Sequence, residues 1–217
     1  MKDTLVFILE IIGTVAFAWS GALAGIKRNM DIFGVAILGL VTAVGGGVIR
    51  DLVLGITPPA TFTDPLYAMV AIVTAFVAFV PAVRKLFLRH QTAYDLTVRV
   101  MDALGLGIFT VVGIDVAYQE MGEINFFLFV FVGVITGVGG GVLRDILTKH
   151  RPYIFVKHFY ACSSLIGAIV TVAVLPFHSL AAMLSGAATV ILRRLLAAHF
   201  RWSLPKAHDV EGENTPQ

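Results

Sequence analysis

Charge is scarce in this sequence. Lysine, arginine, aspartate and glutamate supply 14% of its 217 residues, while 58% are hydrophobic; a soluble globular domain carries roughly 25% charged residues. An apolar excess of that size excludes an ordinary soluble fold and requires lipid to face. Cysteine is nearly absent as well. Cys162 stands alone inside an apolar run, which leaves neither a disulfide framework nor a cysteine metal site. His90, His150, His158, His178, His199 and His208 fall mostly in loops or the tail without metal-ligand spacing, so no metal or other cofactor is called for. The net charge is only +2 and the basic residues are scattered between apolar stretches, which argues against a nucleic-acid surface. Spanning positions hold no serine–histidine, paired-aspartate or histidine–glutamate arrangement, so the residues do not describe an enzyme.

What remains is a succession of apolar runs. A spanning helix needs about 20 mainly apolar residues, and polar breaks predict helices over Thr4–Ile26, Ile32–Ile56, Pro65–Val83, Tyr94–Tyr118, Phe126–Thr148, Phe159–Leu175 and Phe177–Leu196. The last is short and interrupted by Arg193-Arg194. The fold class is therefore all-α integral membrane, with seven transmembrane helices. Lys2, the first apolar run and Ala22-Leu23-Ala24 imitate a cleavable signal peptide. Glu10 inside that run argues against cleavage. From His199 the tail turns polar, with Lys206, Glu211, Gly212 and Pro216, and is expected to be solvated.

Lysine and arginine concentrate in cytoplasmic loops near helix ends, and with seven helices their division is lopsided. One side receives Lys27, Arg28, Arg84, Lys85, Arg89, Arg99, Arg144, Lys149, Arg151, Lys157, Arg193, Arg194, Arg201 and Lys206; the other receives Lys2 and Arg50. The expected orientation has the N-terminus outside and the C-terminus cytoplasmic, in an inner membrane. Outer loops are expected to carry Asp64, Asp115, Glu120 and Glu123, making that mouth mildly acidic.

The chain repeats itself. Gly45-Gly46-Gly47-Val48-Ile49-Arg50-Asp51 recurs as Gly139-Gly140-Gly141-Val142-Leu143-Arg144-Asp145 with one isoleucine-to-leucine exchange. Upstream, Glu10, Gly13, Phe17 and Gly21 match Asp102, Gly105, Phe109 and Gly113 at identical spacing, each set along one helix stripe. Downstream, Pro58 matches Pro152, and Tyr67-Ala68 matches Tyr160-Ala161, more weakly. The expected organisation is a first three-helix repeat over 1–92, a second over 93–176, a seventh helix over 177–198 and a polar cytoplasmic tail over 199–217. Three helices per unit force the second copy into the membrane upside down. Inverted repeats place solute sites near the bilayer midplane, where glycine-interrupted helices expose backbone to a cavity.

Each triplet glycine costs a helix roughly 1 kcal/mol relative to alanine. A kink beside a pore and close helix packing both account for Gly45–Gly47 and Gly139–Gly141. Charged residues inside spanning segments are costly and normally paired or cavity-facing. Topology puts Glu10 near Arg50 in the outer half and Asp102 near Arg144 in the inner half. The expectation is two ion pairs that hold the kinked helices and leave Asp51 and Asp145 toward the pathway. Of Thr14, Ser20, Thr42, Thr110, Thr136, Ser163 and Ser164, some offer hydroxyls to a partly dehydrated cation, and most are expected to bond their own helix carbonyls.

The duplicated glycine triplet followed by arginine-aspartate, in a frame of three plus three plus one helices, resembles the prokaryotic branch of the trimeric intracellular cation channel (TRIC) family, a branch also labelled a glycine transporter domain. The resemblance covers nearly the whole chain to about Leu196. It implies a homotrimer in the lipid membrane, with one pore per protomer lined by helices one, two, four and five, kinked at the triplets and passing potassium and sodium. The matching residues are Gly45, Gly46, Gly47, Arg50 and Asp51, with Gly139, Gly140, Gly141, Arg144 and Asp145. The lysine-containing, phosphoinositide-binding motif of animal members has no clear counterpart. A monovalent cation channel and a secondary transporter for a small zwitterion such as glycine both suit inverted repeats, and no single residue separates them.

Overall fold

In a computed structural model, residues 2–88, 91–149, 152 and 160–200 are described. Among them the chain is entirely helical: α1 Lys2–Lys27, α2 Ile32–Leu54, α3 Ala60–Thr63, α4 Leu66–Phe79, α5 Pro81–Leu88, α6 Gln91–Met121, α7 Phe126–Leu147, α8 Tyr160–Val174 and α9 Ser179–His199. Five of these, α1, α2, α6, α7 and α9, are long and apolar enough to cross a bilayer, and α4 and α8 are shorter apolar helices. Helices suit such a solvent because every backbone polar group is satisfied within the segment. Large apolar side chains stay on the outside, among them Phe33, Phe62, Phe127 and Phe177, as lipid-facing surfaces require.

Local chemistry sets the helix ends. Asp31 accepts the Gly34 amide at 2.7 Å and Asn125 accepts the Leu128 amide at 3.0 Å, so α2 and α7 begin on side-chain caps. The two caps sit at equivalent places in the repeated stretches. Beyond the other ends, Gly55 and Lys149 have φ of 77° and 55°, a left-handed conformation that glycine adopts freely and lysine does not.

Three expected boundaries differ. The helix predicted over Pro65–Val83 is two helices, α4 and α5, parted at Val80; Pro81 has no amide for the ladder and disfavours helix in the residue before it. The predicted interruption at Arg193-Arg194 is no break, because α9 continues to His199. Asp115 is not in an outer loop but inside α6, 2% exposed. Gln119 donates to it at 2.6 Å. The expected tail from 201 onward, with His90, His150, His158 and His208, lies outside the described residues.

Packing groups α1, α2 and α4 together and α6, α7 and α8 together, with α9 against α6 and α8. Across the two groups α1 touches α6 and α2 touches α7. The join is a core of Phe17, Ala18, Ala43, Leu106, Val138 and Tyr160. Buried threonines inside these helices satisfy themselves: Thr42, Thr110 and Thr136 donate to the carbonyls of Leu38, Leu106 and Val132 at 2.6, 2.7 and 2.6 Å.

Candidate functional site

The two glycine triplets form the crossing of α2 and α7. A Cβ at Gly46 would strike the Thr136 carbonyl oxygen, and one at Gly140 would strike the Thr42 carbonyl oxygen. Likewise a Cβ at Gly45 would meet Leu143, and one at Gly139 would lie 3.4 Å from Ile49 Cδ1 and 3.1 Å from Gly46 Cα. These contacts are reciprocal. Gly46 and Gly140 meet each other's corresponding threonines, and Gly45 and Gly139 meet Leu143 and Ile49, which correspond in the same way. Phe17 and Phe109 obey the same rule, packing on each other with ring centroids 5.4 Å apart. Both helices run through their triplets without a break.

The third glycines differ. Gly141 is buried against the Tyr160 hydroxyl and lies near Asp102. Gly47 is half-buried, and a Cβ there would meet only Arg50 Nη2, at 3.8 Å. It opens on a cavity of about 70 Å³ available to water centres, lined by Glu10, Thr14, Gly47, Arg50, Thr61 and Tyr67 among others. One water needs ~10–15 Å³ by that measure, so several waters, or one partly hydrated cation, fit.

Around this cavity the ionisable side chains are arranged as follows. Glu10 on α1 accepts a short hydrogen bond from the Tyr67 hydroxyl on α4. Arg50 on α2 turns to its neighbour Asp51, with Nε and Nη2 at 2.8 and 2.7 Å from Oδ1. Asp51 also accepts the Ala60 amide at 2.9 Å. The expected Glu10–Arg50 ion pair is therefore not made, although both residues line one cavity; the nearer tyrosine hydroxyl takes the carboxylate. Asp51 does not line that cavity either. It is buried, holding Arg50 and the chain that follows α2.

In the second stretch the same residue types close up. Arg144 on α7 donates through Nη1 to Asp102 on α6 at 2.8 Å and to Ser20 on α1 at 2.6 Å. Its Nε and Nη2 lie 2.9 and 2.8 Å from Asp145 Oδ1. The Asp102–Arg144 pair expected from topology is present, and Asp145, like Asp51, lies against its own arginine. Tyr160 reaches Asp102 at a long 3.4 Å. Arg194 from α9 completes the group: it is buried, with Nη2 3.7 Å from Asp102 Oδ2 and its guanidinium over the Tyr160 ring at 5.0 Å. Fully buried arginine is unusual without such partners.

Sequence reasoning missed Tyr67, Tyr160 and Arg194 as members of these groups. The tyrosines stood in the repeat as a weak match, which was the available signal. Arg194 lies outside the repeat and carried none. Among the described residues no group of three histidine, cysteine, aspartate or glutamate side chains is arranged to hold a metal ion.

An all-helical membrane protein with two buried arginine–aspartate motifs flanking a glycine crossing is the class that fold and site define. The chain belongs to the family described as Glycine transporter, which matches residues 7–82 and 99–176. The inner membrane protein YadS of Escherichia coli K12, a UPF0126 protein, is 38% identical over 204 residues, 93% of this chain and 95% of that one. Among solved structures, a chain described under the structural basis for conductance through TRIC cation channels is 36% identical, with a TM-score of 0.81 over 95% of this chain and 98% of its own. The TRIC trimeric intracellular cation channel orthologue from Rhodobacter sphaeroides is 33% identical, with a TM-score of 0.83 over 92% and 100%.

Proposed function

We propose that this chain is a channel for monovalent cations, potassium and sodium, with one conduction path in each protomer of a homotrimer in the inner membrane. The carrying observation is the cavity over Gly47, lined by Glu10, Thr14, Arg50 and Tyr67 with a glycine-exposed stretch of α2, which has room for several waters or one partly hydrated cation. With the Arg50 charge met by Asp51, the Glu10 carboxylate favours a cation there. The likeness to TRIC cation channels at more than 30% identity supports the same reading.

The path runs between two three-span halves, 1–92 and 93–176, inserted with opposite orientation, with the seventh span over 177–198 flanking the second. The reciprocal Gly46–Thr136 and Gly140–Thr42 contacts support that arrangement, as do the two stretches over which the family matches. Orientation follows the basic residues, with the N-terminus outside and the tail over 199–217 cytoplasmic. Gly45–Gly47 and Gly139–Gly141 are the points at which α2 and α7 bend during conduction, and Glu10, Arg50 and Asp51, with Asp102, Arg144 and Asp145, fix the charge along the path.

A carrier for a small zwitterion such as glycine is the second reading, favoured by the family's description and by Glu10 and Arg50 facing one cavity without touching. Recording from purified protein in a planar bilayer separates the two. Discrete currents of many ions per event support the channel; saturable glycine uptake without such currents overturns it.

A further inference from the structure

The two halves hold one motif in two different pairings. Glu10, Tyr67, Arg50 and Asp51 in the first correspond to Asp102, Tyr160, Arg144 and Asp145 in the second. The arginine–aspartate contact is the same in both, Nε to Oδ1 at 2.8 and 2.9 Å. The other carboxylate differs. In the first half it is bonded to the tyrosine and apart from the arginine; in the second it is bonded to the arginine at 2.8 Å and its tyrosine contact is stretched to 3.4 Å. The consequence is steric as well as electrostatic, since the first half is open at Gly47 and the second is shut at Gly141 against Tyr160.

The surroundings explain why each half holds the pairing it does. Arg144 has an extra acceptor in Ser20, whose counterpart in the second half is Val112, so the first half offers no equivalent. Asp102 has an extra cation in Arg194, which comes from the helix outside the repeat and so has no counterpart near Glu10. Ser20 holds Arg144 beside Asp102, and Arg194 holds Asp102 and the Tyr160 ring in their present places.

We propose that the chain exchanges between this conformation and a second in which the pairings are swapped, Glu10 moving from Tyr67 to Arg50 to close the first cavity while Asp102 moves from Arg144 toward Tyr160 to open the other side, and that Arg194 on α9 is the latch that sets the balance. This rests on the inverted arrangement of the halves, and conduction belongs to the passage between the two states, with Glu10 still on Tyr67 and Asp102 released from Arg144. Two pairings of one motif are the discrete alternatives that a switching element requires, and Arg194, which meets the Asp102 carboxylate and covers the Tyr160 ring, biases the equilibrium by holding both in their present places. Arg194 is a positioning residue: it acts on the path through Asp102.

The test uses the full chain in liposomes, with Cys162→Ser as background and Gly47→Cys as reporter, because a side chain at Gly47 enters the open cavity. The rate of modification by a membrane-impermeant, cationic thiosulfonate reagent is measured. Arg194→Gln and, independently, Tyr67→Phe are each expected to slow modification on the order of threefold or more by favouring the closed first half. Adding Arg50→Gln, which removes the closing partner, is expected to restore the rate. Unchanged rates in Arg194→Gln protein that elutes and melts like the parent would reduce Arg194 to packing and overturn the latch. Should Arg194→Gln fail to fold, Tyr67→Phe decides alone: an unchanged rate there overturns the swap. Accessibility does not depend on current, so failed conduction with slowed modification rejects the channel and leaves the exchange standing.

Discussion

Gly46 on α2 and Gly140 on α7 each lie against a threonine carbonyl of the other helix, Thr136 and Thr42 respectively, with no room for a methyl group. The two helices can cross this closely only because both positions lack a side chain. Gly46→Ala and Gly140→Ala are each expected to lower stability by about 1–3 kcal/mol through overpacking against backbone that cannot yield. Gly47→Ala meets open space and is expected to leave stability unchanged or raise it by up to ~1 kcal/mol, while narrowing the cavity. Unfolding midpoints in detergent, read beside conductance, separate the two behaviours.

The buried pair in the second half behaves differently from its counterpart. Asp102→Asn leaves Arg144 and Arg194 short of a buried counter-charge and is expected to cost ~3–5 kcal/mol. The double variant Asp102→Asn/Arg144→Gln is expected to cost less than the sum of the single changes, with a coupling of about 0.5–3 kcal/mol. Glu10 and Arg50 are not in contact, so the same cycle there is expected to give a smaller coupling. Equal couplings in the two halves would contradict the asymmetry.

Glu10 supplies negative charge to the cavity while Tyr67 holds its position. Glu10→Gln is expected to lower cation conductance by about twofold or more at low ionic strength, and by less at ~1 M salt, where the Debye length falls to ~3 Å. Conductance measured across a salt series checks the slope as well as the size of the effect.

Helix ends offer a control remote from the path. Asp31→Ala and Asn125→Ala each remove a cap and are expected to cost about 1 kcal/mol. Lys149→Gly relieves a left-handed lysine at φ 55° and is expected to gain roughly 1 kcal/mol. Thermal unfolding reads all three, and none is expected to change ion preference.

Much of this was legible in the residues. Apolar length located the spans, and the duplicated Gly-Gly-Gly-Val-Ile/Leu-Arg-Asp stretch located the crossing, because a bilayer leaves few alternatives to helix and glycine clusters mark close approach. Pro81 was a readable sign of the break after Val80, and the continuous apolar pattern around it masked the sign. The partner of Glu10 was not readable: which of the hydroxyl and guanidinium lining its cavity takes the carboxylate is set by side-chain placement, which spacing along the chain does not encode. Arg194 read as one of a basic pair interrupting the seventh helix, because only the fold brings α9 against Asp102.

The most direct test of cation passage through the Gly47 cavity is single-channel recording from the purified full-length protein under a potassium gradient, with Glu10→Gln in parallel. Discrete currents that reverse near the potassium equilibrium potential, and that are smaller in Glu10→Gln, are expected. Silent bilayers from folded protein, together with saturable glycine uptake, would contradict it.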